Sequence, residues 1–209
     1  IANDISLGCG KMRNAIISGP NAGGKSTFMR GLLFTAVMGQ TCGIAPATHA
    51  VLTPFSYIDS YVNVEDVPVA KKSLFRMQAY RVSSILKNIE SLDSGKHAIV
   101  IADEMFNGTN PTDAACIGRA VANKICKLPN SIWLISTHYP AIRRIEKDSG
   151  GIFANFKVGV HRDNFGRFLG YPFKISRGIT EESTAIDVLE AEKFHSDVLN
   201  DARRIRING

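Results

Sequence analysis

The chain has 209 residues, and its 25 basic and 19 acidic residues give a net charge of +6. That length suits one α/β domain with a substantial core, and the small basic excess is as compatible with binding nucleotide phosphates as with a nearby nucleic acid. Because four scattered cysteines form no C-x-x-C pair and no stretch has the length of a membrane span, we expect an intracellular protein without a zinc site, a disulfide framework or a membrane partner.

The N-terminal region leads into a buried strand. The chain begins at Ile1 rather than at a methionine, which indicates a fragment of a longer polypeptide. Residues 1–14 are polar with scattered Ile and Leu, and we predict edge strands there. Residues 15–18 form a short apolar run, which is typical of a buried parallel strand. A helix is predicted to follow from Ser26, ending near Gly43 because glycine suits the position after a helix.

Between this strand and helix lies a phosphate-binding pattern. Gly19, Gly24, Lys25 and Ser26 satisfy the G-x-x-x-x-G-K-[ST] pattern of a P-loop, for which the alternative is an ordinary glycine-rich turn. In a P-loop the backbone N–H groups and the helix N-terminus face a phosphate chain. Lys25 would reach the β- and γ-phosphates, and the Ser26 hydroxyl would bind Mg²⁺. The predicted phosphate-binding residues are Gly19, Pro20, Asn21, Ala22, Gly23, Gly24, Lys25, Ser26 and Thr27.

The next region predicts a β segment followed by a long helix. Residues 44–72 contain three prolines and short β-rich pieces, which indicates an inserted and partly exposed β segment. From Ser73 to Glu90 apolar residues recur at helical spacing. Ser73 suits a helix N-cap, and it suits equally a hydroxyl that meets a phosphate held by a second subunit.

Two further apolar runs, at 98–102 and 132–135, predict buried strands that end in reactive side chains. Asp103 follows the first run as a Walker B aspartate would, and it is predicted to hold Mg²⁺. Glu104 would supply the base for an attacking water, which favours a hydrolase over a small-molecule kinase. Thr137 and His138 follow the second run, where His138 would sense the γ-phosphate and the attacking water.

The remaining elements complete an α/β pattern. A helix is predicted over 113–127, with Cys116 and Cys126 as small buried residues. Residues 152–160 and 167–175 predict a hairpin around 164–166, and 183–207 predict a C-terminal helical segment of the same domain. Strands that alternate with helices predict a mostly parallel sheet flanked by helices, with antiparallel β additions, in one domain over residues 1–209.

Taken together, these motifs resemble the C-terminal ATPase domain of the MutS family of DNA mismatch-repair proteins. The resemblance runs from Ile1 into the tail and is carried by GPNAGGKSTFMR at Gly19–Arg30, Ser73-Leu74-Phe75, Asp103 to Thr109 and Ser136 to Tyr139. It implies an ABC-type P-loop ATPase that uses ATP and Mg²⁺, with Lys25, Glu104 and His138 in catalysis and Ser26 and Asp103 at the metal. It also implies that Ser73 contacts, in trans, the γ-phosphate of ATP held by a second MutS-type subunit.

The resemblance also implies what lies outside this chain. Double-stranded DNA would be bound by other domains, and the adenine would lie near the first residues. Gln78, Arg76, Asn107 and Asn110-Pro111 depart from the usual repair-type sequence, and the last pair resembles paralogues linked to recombination control. Two alternatives therefore remain: a recombination-control paralogue, or a module in which nucleotide drives dimerisation with negligible hydrolysis.

Overall fold

The computed structural model describes residues 1–62, 74–180 and 182–208, with side chains to residue 206. A six-stranded sheet runs through it in the order β2-β3-β4-β1-β5-β8, and a second sheet pairs β6 with β7. The strands are β1 (Asn14–Ser18), β2 (Tyr57–Tyr61), β3 (Ala98–Asp103), β4 (Ser131–Ser136), β5 (Phe153–Val158), β6 (His161–Arg162), β7 (Phe168–Gly170) and β8 (Ile175–Arg177). The α-helices are α1 (Lys25–Cys42), α2 (Leu74–Glu90), α3 (Pro111–Cys126), α4 (Pro140–Arg143), α5 (Ile145–Asp148), α6 (Ala185–Ala191) and α7 (Ser196–Asn208).

The first five strands of the main sheet are mutually parallel, and only β8 runs antiparallel, to β5. Parallel strands are covered on both faces, so their residues are apolar throughout rather than alternately polar. β1 and β3 follow this rule, because β1 is buried along its whole length and β3 is buried up to Asp103. The predicted mostly parallel sheet with antiparallel additions is confirmed.

Two apolar cores lie on opposite faces of this sheet. Successive side chains of a strand point to opposite faces. Ile16 of β1 therefore belongs to the core that α2 and α3 cover, whereas Ile17 belongs to the core that α1 covers. The helices thus flank the sheet as predicted, and they hold the strand ends in a fixed order.

Several helix boundaries follow from local sequence. Gly43 ends α1 in the left-handed conformation, with φ 68°, as predicted. α3 begins earlier than the predicted residue 113, because Pro111 occupies its first turn and the Asn110 side chain accepts a hydrogen bond from Thr112 N at 2.8 Å. α6 lies within the predicted C-terminal helical segment, and α7 ends one residue beyond it, at Asn208.

Other predictions from the sequence were wrong. Residues 1–13 form no strand, although Asn3 bonds residue 175. The β-rich pieces predicted within residues 44–72 do form a strand, but that strand, β2, belongs to the main sheet beside β3, and residues 63–72 lie outside the described residues. The predicted hairpin is confined to the short β6 and β7, because β5 pairs with β1 and β8 instead.

Two smaller findings complete the fold. Cys116 is exposed and Cys126 is half-buried, so the prediction that both are buried was wrong. Cys116 lies on α3, whose buried face is formed by Ala114, Gly118, Ala122 and Ile125. Among the helices of the described residues, none combines the length and the apolar character needed to cross a membrane.

Candidate functional site

The carboxyl ends of β1, β3 and β4 meet at one edge of the sheet. Because these neighbouring strands are parallel, Ser18, Asp103 and Ser136 end them on the same side. Ligands of open α/β sheets bind outside such strand ends. A cavity of about 260 Å³ opens there, lined by Asn21, Lys25, Ser26, Tyr61, Gln78, Asp103, Glu104 and Asn107.

The glycine-rich segment after β1 has the geometry of a phosphate-binding turn. Residues Asn21–Gly23 form one 3₁₀ turn, and Gly24 then adopts φ 91° before α1 begins. A Cβ at Gly19 would lie only 2.7 Å from the Val158 carbonyl oxygen, so this position also requires glycine. The segment therefore turns sharply into the N-terminus of α1, where N–H groups are free to face an anion.

Lys25 is buried and is held by the same segment. Its ammonium donates to the carbonyl oxygens of Gly19 at 2.7 Å and Pro20 at 3.0 Å, and to Asn21 Oδ1 at 3.3 Å. Burial lowers the pKa of Lys25, and the negative charges of Glu104 and Asp103 partly offset that decrease. The ammonium is thus fixed at the cavity wall, and an added anion would favour its charged form.

His138 joins the segment after β1 to the carboxylates after β3. Its Nε2 lies 2.8 Å from Asn21 Oδ1 and 2.8 Å from Glu104 Oε1. Both are acceptors, so Nε2 carries the proton and shares it between them. With Lys25 also on Asn21 Oδ1, an unbroken chain of polar contacts runs from Lys25 to Glu104.

These neighbours lower the pKa of Glu104. The hydrogen bond from His138 lowers the pKa of Glu104, burial opposes that effect, and the charges of His138 and Lys25 lower it further. A carboxylate with a lowered pKa remains negatively charged at neutral pH. Glu104 can therefore accept a hydrogen bond from a water molecule in the cavity.

Asp103 is oriented by the end of the next strand. The Ser136 hydroxyl donates to Asp103 Oδ1 and also accepts from Glu104 N at 3.1 Å. No cluster of three or more His, Cys, Asp or Glu side chains within the described part of the chain could hold a metal ion alone. Mg²⁺ commonly uses one or two protein oxygens together with phosphates and waters, and Ser26 with Asp103 fits that donor set.

Most of the predicted catalytic and metal-binding residues lie close together. Lys25, Ser26, Asp103 and Glu104 line one cavity, with Asn21, and His138 contacts Glu104 at its rim. Ser73 lies outside the described residues, so its predicted role in trans stays a prediction. Three cavity residues, Tyr61, Gln78 and Asn107, were not predicted as site residues from the sequence.

The model of the family described as MutS domain V matches residues 15–208. The chain belongs to the MutS family. This match covers every strand of the main sheet except the first residue of β1 and includes all residues of the cavity.

Curated MutS-family proteins match nearly the whole chain. It is 32% identical over 208 residues to the DNA mismatch repair protein MutS of Clostridium botulinum (strain Loch Maree / Type A3), covering 98% of this chain and 21% of that protein. It is 30% identical to MutS of Clostridium tetani, covering 98% and 23%, and 27% identical to the DNA mismatch repair protein MSH3 of Debaryomyces hansenii, covering 97% and 20%. The chain thus spans about a fifth of the length of these relatives.

Proposed function

We propose that this chain binds ATP with Mg²⁺ and hydrolyses it, as the ATPase domain of a MutS-family DNA mismatch repair protein. The observation that carries the proposal is the contact chain from Lys25 through Asn21 and His138 to Glu104. It brings a phosphate-binding turn and a hydrolytic carboxylate to the same cavity. Nucleotide hydrolysis needs both, because phosphoryl transfer depends on holding the phosphates and orienting the attacking water.

The phosphate side of the site is formed by Gly19–Thr27. Its backbone N–H groups and the N-terminus of α1 would bind the phosphate chain, with Lys25 supplying a positive charge. Ser26 and Asp103 would hold Mg²⁺ through a hydroxyl and a carboxylate. When bound, the metal ion would neutralise charge on the phosphate oxygens.

The water side of the site is formed by Glu104 and His138. One Glu104 oxygen accepts from His138, and the other has no hydrogen-bond partner among the described residues. That second oxygen would orient the attacking water and take its proton. The hydrogen bond from His138 lowers the pKa of Glu104, and His138 would detect the γ-phosphate through its position between Asn21 and Glu104.

Replacing Glu104 tests the hydrolytic role. Glu104→Gln should retain ATP binding and lower kcat by about 10²- to 10⁴-fold, as expected for loss of a general base. Glu90→Gln is the matched control, because Glu90 is an exposed carboxylate at the last residue of α2 and pairs with Lys124 instead. Normal turnover by Glu104→Gln would refute the role of Glu104.

The larger biological role is part of the same proposal. We infer that ATP joins this domain to a second MutS-type subunit through Ser73, and that hydrolysis controls double-stranded DNA binding by other domains. Phosphate release at several protein concentrations checks the shared site, because a rate per subunit that rises with concentration requires a partner. A nucleotide-bound dimer that releases no phosphate would favour the dimerisation module instead. Assignment to a recombination-control paralogue stays open, and the intracellular location stays a prediction.

A further inference from the structure

The segment that follows Asp103 has an unusual backbone. Glu104 has φ 49° and Phe106 has φ 65°, although neither is glycine. A left-handed residue with a side chain costs about 1–2 kcal/mol, so surrounding contacts must hold the segment in place. The position of the Glu104 carboxylate therefore depends on the contacts that hold the backbone of residues 104–108.

The backbone N–H groups of residues 104, 106 and 108 each donate a hydrogen bond to a side chain, and the three side chains belong to three different elements. Glu104 N donates to Ser136 Oγ at the end of β4, and Phe106 N donates to Tyr61 Oη at the end of β2. Gly108 N donates to Gln78 Oε1 of α2 at 3.2 Å. Of these three anchors, only Gln78 belongs to a helix.

Gln78 uses both ends of its amide on this segment. Its Nε2 donates to Asn107 Oδ1 at 2.6 Å while its Oε1 accepts from Gly108 N. Its side chain is buried, with a residue exposure of 2%. A glutamine provides a donor and an acceptor in one neutral group, which neither an apolar residue nor a single charge provides.

Leu74 reinforces the contact one helical turn earlier. A Cβ added to Gly108 would lie 2.7 Å from Leu74 Cγ, so the helix packs directly on the Gly108 backbone. Leu74 and Gln78 are four residues apart and share one face of α2. The start of α2 and the segment after Glu104 therefore cannot move independently.

We propose that Gln78 is a positioning residue for hydrolysis, which holds Glu104 in place by clamping Asn107 and Gly108 to α2. The inference rests on the proposed ATPase function and extends it to a residue of another element, which lines the same cavity and bonds the segment that carries Glu104. A displacement of the first turns of α2 would therefore also displace Glu104, through the bonds of Gln78 to Asn107 and Gly108.

The test compares kcat with ATP affinity. Gln78→Met removes both hydrogen bonds at nearly constant volume, and we expect kcat to fall by about 10- to 100-fold, as for a small misplacement of a catalytic group. The Kd for ATP should not change, because the phosphate-binding residues are untouched. Gln40→Met is the matched control: Gln40 of α1 bonds both the N and the O of Phe55, outside the cavity, and its loss should leave kcat unchanged.

A double-mutant cycle decides whether Gln78 acts through Glu104. In a protein that already carries Glu104→Gln, Gln78→Met should cause no further loss of kcat. A wild-type kcat in Gln78→Met, a parallel loss of ATP affinity, or an additive loss in the double variant would each overturn the inference.

A second variant covers the case in which Gln78→Met does not fold. Asn107 is exposed, so Asn107→Ala removes one of the two bonds without opening the core. We expect a fall in kcat at unchanged ATP affinity, and an unchanged kcat would again overturn the inference. If the wild-type protein binds ATP without hydrolysing it, the proposed function itself fails. That failure is measured in the wild type, so it is distinct from a failure of the inference, which is measured in the variants.

Discussion

The two halves of the candidate site are held together in different ways. In the Gly19–Ser26 half, Lys25 bonds atoms of residues four to six positions before it. In the Asp103–Gly108 half, the anchoring side chains come from positions 30 to 45 residues away. The first half is local in sequence, whereas the second is assembled by the packing of β2, β4 and α2.

Because of this difference, mutations in the two halves should affect different properties. A change in the local half should affect ligand binding directly, since its residues are the ones proposed to bind the phosphates. A change in the assembled half should leave binding intact and affect turnover, because it alters where Glu104 lies. Variants of the two halves should therefore separate ATP affinity from kcat.

Lys25→Met should have the largest effect. The positive charge at the phosphate end is lost, so we expect ATP binding to weaken strongly and hydrolysis to fall by at least about 10³-fold. Fluorescent-nucleotide titration and phosphate release measure the two effects. Lys124→Met, which removes a lysine paired with Glu90 on the protein surface, should change neither. Retained ATP affinity in Lys25→Met would break the distinction between the two halves.

Ser136→Ala should reduce turnover and leave ATP affinity nearly unchanged. The variant removes the donor to Asp103 and one of the two acceptors of Glu104 N, which keeps its bond to the Ser136 carbonyl oxygen, and we expect kcat to fall by about 10- to 100-fold. Ser131→Ala is a suitable control, because Ser131 is also buried, at the opposite end of β4, and its hydroxyl bonds Leu128 O and Trp133 Nε1. If both serine variants lower the free energy of unfolding alike but only Ser136→Ala lowers kcat, the fall in kcat comes from the changed site and not from reduced stability. An equal fall in kcat in both variants would contradict the prediction.

The contrast also explains what the sequence could predict. Gly19 to Ser26 form one contiguous pattern, so the sharp turn between β1 and α1 and its proposed phosphate-binding role could be predicted from the sequence alone. Asp103, Glu104 and His138 could be placed because each follows an apolar run that predicts a buried strand. The parallel sheet followed from the same runs.

The anchors of Glu104 carry no comparable signal. Tyr61 and Gln78 are ordinary residues of a strand and a helix, and they become part of the site only because β2 and α2 pack beside β3. The pairing of β5 was missed for a related reason, since nothing local to residues 152–160 shows that β1 is their partner. Cys116 shows that burial is also hard to predict within one helix. Its neighbours in sequence are apolar, yet it lies on the exposed side of α3.

Tyr61→Phe should produce a smaller effect of the same kind. The Phe106 N–H loses its acceptor at 3.4 Å, which should lower the free energy of unfolding by about 1 kcal/mol and lower kcat only slightly. Tyr57→Phe is the control, because Tyr57 lies at the other end of β2 and its hydroxyl bonds Asp59 and Asn88. Chemical denaturation and steady-state kinetics measure both variants. An ATP affinity that falls in Tyr61→Phe would place Tyr61 in the binding half.

The smallest expected effect is on stability in acid. The pKa of Glu104 is lower in the folded protein than its ordinary value of 4.5, chiefly because of the hydrogen bond from His138. Its stabilising contribution is therefore complete above pH 4.5 and is lost as the pH falls through the lower pKa of the folded state. Wild type and Glu104→Gln differ only at this side chain, so the difference between their denaturation curves reports on the Glu104 carboxylate and its contacts. We expect the wild type to lose its advantage over Glu104→Gln below pH 4.5, and a difference that does not vary with pH would show that His138 does not stabilise the Glu104 carboxylate.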